Sequence, residues 1–68
     1  MPWTDTDSTM IVAYDYDPNM KVLHLRFRLS GETRSYQNIP PELAAEFIAA
    51  PSKGKFFHNR IRDEYHGI

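Results

Sequence analysis

In Val22-Leu23-His24-Leu25-Arg26-Phe27-Arg28-Leu29, apolar and polar residues alternate from Leu23 to Leu29. Under the two-residue period of an extended chain, Leu23, Leu25, Phe27 and Leu29 fall on one face and His24, Arg26 and Arg28 on the other. The run predicts a strand over residues 22–29 with one face on a core and a wet, basic outer face. That is the pattern of an antiparallel sheet open on one side.

Upstream, residues 10–16 are β-branched and aromatic, and Val12, Tyr14 and Tyr16 share a face under the same period. Asp17-Pro18-Asn19 separates the two runs as a turn, since Pro presets φ and Asn tolerates left-handed geometry. Two strands so close in sequence pair most simply as an antiparallel hairpin. Downstream, Ser30-Gly31-Glu32 is a tight turn. Residues 33–37 form a short third strand, which Asn38-Ile39-Pro40-Pro41 ends because Pro cannot continue a ladder. Pro41 suits the first position of a helix. A helix over 41–49 follows, with Leu43, Ala44, Phe47 and Ile48 as its apolar stripe and Glu42 and Glu46 outside. Pro51 breaks it. Ser52 is placed to cap a second helix running to about residue 62, with Phe57 and Ile61 inward and Phe56 beside them. Gly54 is a poor helix former, so a close approach of another segment to its backbone is expected. The expected fold is α+β: a small three-stranded antiparallel sheet followed by two helices packed on one face, β-β-β-α-α.

The chain has 68 residues, no Cys, four Phe, four Tyr and one Trp. That length allows one domain with a small core, and the missing Cys removes disulfides and thiolate metal sites. Buried rings can supply the stability, and self-association is a second support. We divide the chain into a flexible acidic arm over 1–9, a single domain over 10–62 and a frayed tail over 63–68. Charge is uneven: Asp5, Asp7, Asp15 and Asp17 precede every Lys and Arg, while the eight basic residues all follow Met20. An acidic arm and a basic working surface would produce that asymmetry. No apolar run approaches the roughly 18–20 residues that span a bilayer. Met1-Pro2-Trp3-Thr4-Asp5 lacks the basic start and apolar stretch of a secretory signal, so a cytoplasmic location is expected.

The ordered pieces Ser8-x-x-Ile11, Tyr16-Asp17-Pro18, Leu23-x-Leu25-x-Phe27, Gly31, Tyr36-x-Asn38-Ile39-Pro40 and Ala50-x-Ser52-x-Gly54-x-Phe56-Phe57-His58-x-x-Ile61 resemble the KTSC domain. This small module is named for its place at the C-terminus of some lysyl-tRNA synthetases and also occurs as a stand-alone bacterial protein. The resemblance implies a module without catalytic residues and, through the synthetase context, RNA or tRNA as its partner. The family tends to carry a central Tyr-x-Tyr, where this chain has Arg34-Ser35-Tyr36. An Arg can stack on a base and also pair with phosphate.

Read for chemistry, the basic set is Arg26, Arg28 and Arg34 on strands and Lys53, Lys55, Arg60 and Arg62 around the second helix. Tyr36, His58 and Tyr65 are interleaved with it. Phosphate binding wants Lys and Arg, and base stacking wants exposed aromatics. The expected nucleic-acid site is Arg34, Tyr36, Lys53, Lys55 and Arg60; the bland alternative is a set of solvated charges. His24, His58 and His66 have no metal-ligand spacing and read as surface residues, so no metal or cofactor is expected. Ser52 with His58, or Asp15 with Asp17, are the only nominees for catalysis, and they read better as a cap and a turn former. The chain is expected not to be an enzyme. The function expected is a binding module, for RNA or tRNA, or alternatively for a protein partner or a second copy through a sheet edge or the open sheet face.

Overall fold

The computed structural model describes residues 3–65 and Gly67. An antiparallel sheet of four strands, in the order β1-β2-β3-β4, carries the helices on one face. The strands are β1 (Thr4–Asp5), β2 (Ile11–Asp17), β3 (Val22–Phe27) and β4 (Thr33–Tyr36). Helix α1 spans Pro41–Ala49. A short α2 (Lys53–Phe56) continues directly into a π-helical segment, Phe57–Ile61.

The α+β class and the three main strands agree with the sequence reading, but the strand count is four. Thr4 and Asp5 pair with Tyr14 and Ala13. These two polar residues have no alternation to advertise them, and backbone pairing alone makes them a strand. The segment that follows is tied down by side chains. Thr6 Oγ1 bonds to the Ile11 carbonyl and accepts the Ser8 amide, and Ser8 Oγ accepts the amides of Met10 and Ile11. The Arg28 guanidinium donates twice to the Ser8 carbonyl. Much of the stretch expected as a flexible arm is thus built into the sheet edge; its first two residues, like His66 and Ile68, lie outside the described residues.

A second difference lies within β2. Ile11 faces Phe27 and Ala13 faces Arg26, so the register shifts between them. Two residues, Val12 and Ala13, oppose one, which is a β-bulge. The bulge turns Ile11 onto the core face with Tyr14 and Tyr16, where simple alternation would have put Val12; Ile11 is fully buried and Val12 only partly.

The third difference is at the end of β3. The strand stops at Phe27, because the Phe27 amide bonds to the Glu32 carbonyl and the Gly31 amide to the Phe27 carbonyl. Gly31 takes φ +71°, the left-handed conformation glycine adopts without cost. Leu29 therefore rides in the turn at 98% exposure and does not join the core face.

Between sheet and helices lie Ile11, Leu23, Leu25, Tyr36, Ile39, Leu43, Ala44, Phe47, Phe57 and Ile61. Aromatic rings meet edge to face throughout, an arrangement their quadrupoles favour. Phe57 lies 5.3 Å from both Phe27 and Tyr36, and Phe47 lies 5.5 Å from Tyr14. The π-helical turn, sealed by the Arg62 amide on the Phe57 carbonyl at 2.8 Å, keeps Phe57 and Ile61 inward and His58, Asn59 and Arg60 outward. Ile48, expected in the α1 stripe, is 44% exposed. Ser52 precedes α2 as foreseen, but its side chain makes no cap bond.

Tyr16 locks the sheet to the loop before α1. Its hydroxyl donates to the Ile39 carbonyl at 2.6 Å. Burial, then the charges of Glu42 and Asp17, push its pKa above the ordinary value. The neutral donor form is therefore favoured by folding, and its contribution is complete below about pH 10 and lost as pH rises through the folded-state pKa. Tyr16→Phe should cost about 0.5–1.5 kcal/mol at neutral pH. It should also shrink the loss of melting temperature between about pH 9 and pH 11. Thermal melts of both proteins across that range check this, and an unchanged alkaline slope in the variant would show that Tyr16 is not its source.

Candidate functional site

The sequence-predicted binding residues do not come together as one free surface. Tyr36 sits opposite Leu23 in the β3–β4 register, is 6% exposed and stacks on Phe57. It is a core residue, so its ring is not available to a base. Arg34 is exposed at the hairpin end but donates to Glu32 at 3.2 Å, and this bond raises its pKa further above the usual guanidinium value. Arg60 lies over the Phe56 ring at 5.3 Å and pairs with Glu46 at 3.6 Å. Lys53 turns back to the Ala50 carbonyl. Lys55 lines a smaller hollow of about 540 Å³ whose other lining residues include His58, Asp7 and Ser8. Exposed pairs of this kind contribute only about 0–1 kcal/mol to stability. They do, however, neutralise two of the four cations chosen.

A larger hollow takes in two of the five, Arg34 and Tyr36, and none of Lys53, Lys55 and Arg60. An open groove of about 1020 Å³ runs between the β3–β4 turn and the π-helical segment. Its apolar and aromatic lining is Met10, Phe27, Leu29, Tyr36, Phe57 and Tyr65, with Tyr36 contributing little exposed surface. Its charged rim is Arg34 and Arg62 with Glu32 and Asp63, two of each sign. Leu29 is almost fully exposed and Met10 is 37% exposed, so apolar surface remains open to water in and beside the groove. Sequence reasoning missed this site because it placed Leu29 in the core. Its signal was the mismatch between a seven-residue apolar alternation, Leu23 to Leu29, and a turn-forming Ser30-Gly31 directly after it.

The outer sheet face carries a second constellation. Asp15, His24 and Ser35 stand in register on three adjacent strands, and His24 Nδ1 is 2.6 Å from Ser35 Oγ. Trp3 leans edge-on to His24, and the Arg26 guanidinium lies 4.8 Å from its ring centroid. Trp3 thus covers part of the face expected to be wet, with Ala13 only 2% exposed on β2 between the Asp5 and Arg26 positions. Asp15 Oδ2 is buried without a hydrogen-bond partner. Among the described residues no three His, Asp or Glu side chains gather as a metal site, and no helix is long and apolar enough to cross a membrane.

Most residues that carry the family resemblance have structural roles. Ser8 holds the entry to β2, and Asp17 Oδ1 accepts the amides of Asn19 and Met20 in the hairpin turn. Asn38 takes φ +62° ahead of the buried Ile39, a conformation Asn tolerates better than most residues. A Cβ on Gly54 would lie 3.0 Å from Met10 Cβ, so the close approach expected there is present.

Sheet, helices and groove together define a small α+β domain with an open, partly apolar hollow. Residues 7–65 match the KTSC domain model, and the chain belongs to that family. It is similar to a crystal structure of a KTSC domain protein from Yersinia pestis, with a TM-score of 0.92 and 30% identity over 98% of this chain and 93% of that one. A protein of Tsukamurella paurometabola is 34% identical over 62 residues, 91% of each chain. A lysine–tRNA ligase of Nostoc sp. is 34% identical over 64 residues. Those residues are 94% of this chain and 11% of the ligase.

Proposed function

We propose that this domain is a non-enzymatic binding module that holds an apolar segment of a protein partner in the groove between the β3–β4 turn and the π-helical segment. The observation that carries this reading is Leu29, left 98% exposed on the wall of a hollow also lined by Phe27, Phe57 and Tyr65. An exposed apolar patch rimmed by charge is the usual mark of an interaction surface. The balanced rim favours a partner carrying both signs over a polyanion. π-helical turns also recur at functional sites, and this one sets Phe57, its first residue, in the lining of the groove.

The second reading is RNA or tRNA binding through Arg34, Tyr36, Lys53, Lys55 and Arg60. It is favoured by the relative named a lysine–tRNA ligase, in which the matching segment accompanies a much longer chain. The burial of Tyr36 and the carboxylate partners of Arg34 and Arg60 weigh against it.

Selection of peptides by display on the immobilised domain separates the two. Peptides with one or two large apolar residues should be enriched, bind at about micromolar affinity and change little between about 50 and 200 mM salt. Bulk tRNA in the same assay should bind weakly. Binding of tRNA that falls steeply with salt, with no peptide enriched, would overturn the protein-binding reading in favour of the second.

A further inference from the structure

We infer that the occupant of the groove is a second copy of the chain, with Leu29 of each protomer seated in the hollow of the other about a two-fold axis. This rests on the reading of the groove as a protein-binding surface and names the partner.

A two-fold interface presents the same patch on both sides, so the patch must be complementary to itself. Here one surface carries both a knob and a hole. Leu29 projects from the turn over residues 28–32 with nothing packed on it, while Phe27, Phe57 and Tyr65 line the hollow beside it. The rim obeys the same condition. Arg34 and Arg62 with Glu32 and Asp63 give two charges of each sign, where a rim of one sign would repel its own copy. Arg34 is paired with Glu32 in an exposed contact, which can be exchanged for one across the axis without burying an unpaired charge.

The mode of contact is side-chain packing and not strand addition. Although β4 is the last strand of the sheet, Gly67 bridges Tyr36 on its open side and closes one end of that edge to a partner strand. A further reason lies in size. A chain of 68 residues without cysteine has a small core and no disulfide, and association is one of the few ways such a scaffold gains buried apolar area.

Sedimentation equilibrium over about 10 μM to 1 mM, the range of weak to moderate affinities, tests this. The average mass should climb from 8.0 kDa towards twice that value. Leu29→Glu should remain monomeric throughout with the melting temperature of the dilute wild-type chain. Met20→Glu, a change at a residue 70% exposed on the other hairpin turn, should dimerise like wild type. A wild-type chain that stays monomeric at every concentration overturns the inference, as does a dimer that survives Leu29→Glu. A monomeric chain that still takes selected peptides in the groove would remove self-association and leave the protein-binding reading standing; one that does neither removes both.

Discussion

Phe57→Ala is expected to leave a large part of the domain unfolded near body temperature. Phe57 is 3% exposed, lies 5.3 Å from both Phe27 and Tyr36, and opens the π-helical segment. Truncating a buried Phe to Ala costs about 3–5 kcal/mol, the transfer of the ring plus the cavity left behind. A domain of this length holds about 3–10 kcal/mol in total, so one ring is a large fraction of the whole. Urea denaturation followed by circular dichroism measures the loss. Phe56→Ala is the comparison: Phe56 is only partly buried, on the edge of Phe47 at 6.0 Å, and should cost clearly less. Equal losses would mean that the ring stack from Tyr36 through Phe57 to Phe27 does not hold the sheet to the second helix.

Gly54→Val is expected to be the most damaging change that adds atoms. In an ordinary exposed helix, replacing Gly by a residue with a side chain gains about 0.5–1 kcal/mol. Gly54 is buried, and even a Cβ would stand 3.0 Å from Met10 Cβ and 3.2 Å from Met10 Sδ. Alanine sets the helical gain against a shift of a few tenths of an ångström, so Gly54→Ala should be close to neutral. Valine adds two methyls that have no space unless the helix moves off the start of β2. Overpacking of this kind costs about 1–3 kcal/mol. The same movement would deform the groove, because Met10 and Phe57 both line it. A fully stable Gly54→Val with an unchanged groove would show that the close approach at Met10 is not required.

These two positions also show what the sequence could disclose. Gly54 was legible because a glycine inside a helical pattern needs a reason, and the reason was steric. The alternation of Leu23, Leu25 and Phe27 was legible because it depends only on local period. Pro41 and Pro51, which bound the first helix, were legible because they forbid continuation of regular structure. What was not legible depends on contacts distant in sequence. The bulge that exchanges Val12 for Ile11 is set by pairing with β3, and β1 exists only because β2 offers it an edge. Tyr36 and Arg34 share one face of β4, and nothing local says that the first meets Phe57 while the second faces water at the hairpin end. Reading both as exposed gave a nucleic-acid site with a core residue at its centre. Leu29 was the converse, a residue assigned to the core because the alternation was followed past the point where the backbone turns.

The residues that carry the family resemblance explain why it was easier to recognise than to interpret. Ser8, Asp17, Leu23, Leu25, Ile39, Gly54, Phe57 and Ile61 cap, turn or pack. They specify the fold, and most of the groove's exposed lining lies outside them.

The proposed working surface is the groove, and not the basic side chains around the second helix. Amide chemical-shift mapping on isotope-labelled protein tests it most directly, with a display-selected apolar peptide and bulk tRNA titrated in parallel at physiological salt. The peptide should shift Phe27, Leu29, Phe57 and Tyr65, and tRNA should shift little. Shifts at Lys53, Lys55 and Arg60 on adding tRNA, with the groove silent to peptide, would contradict it.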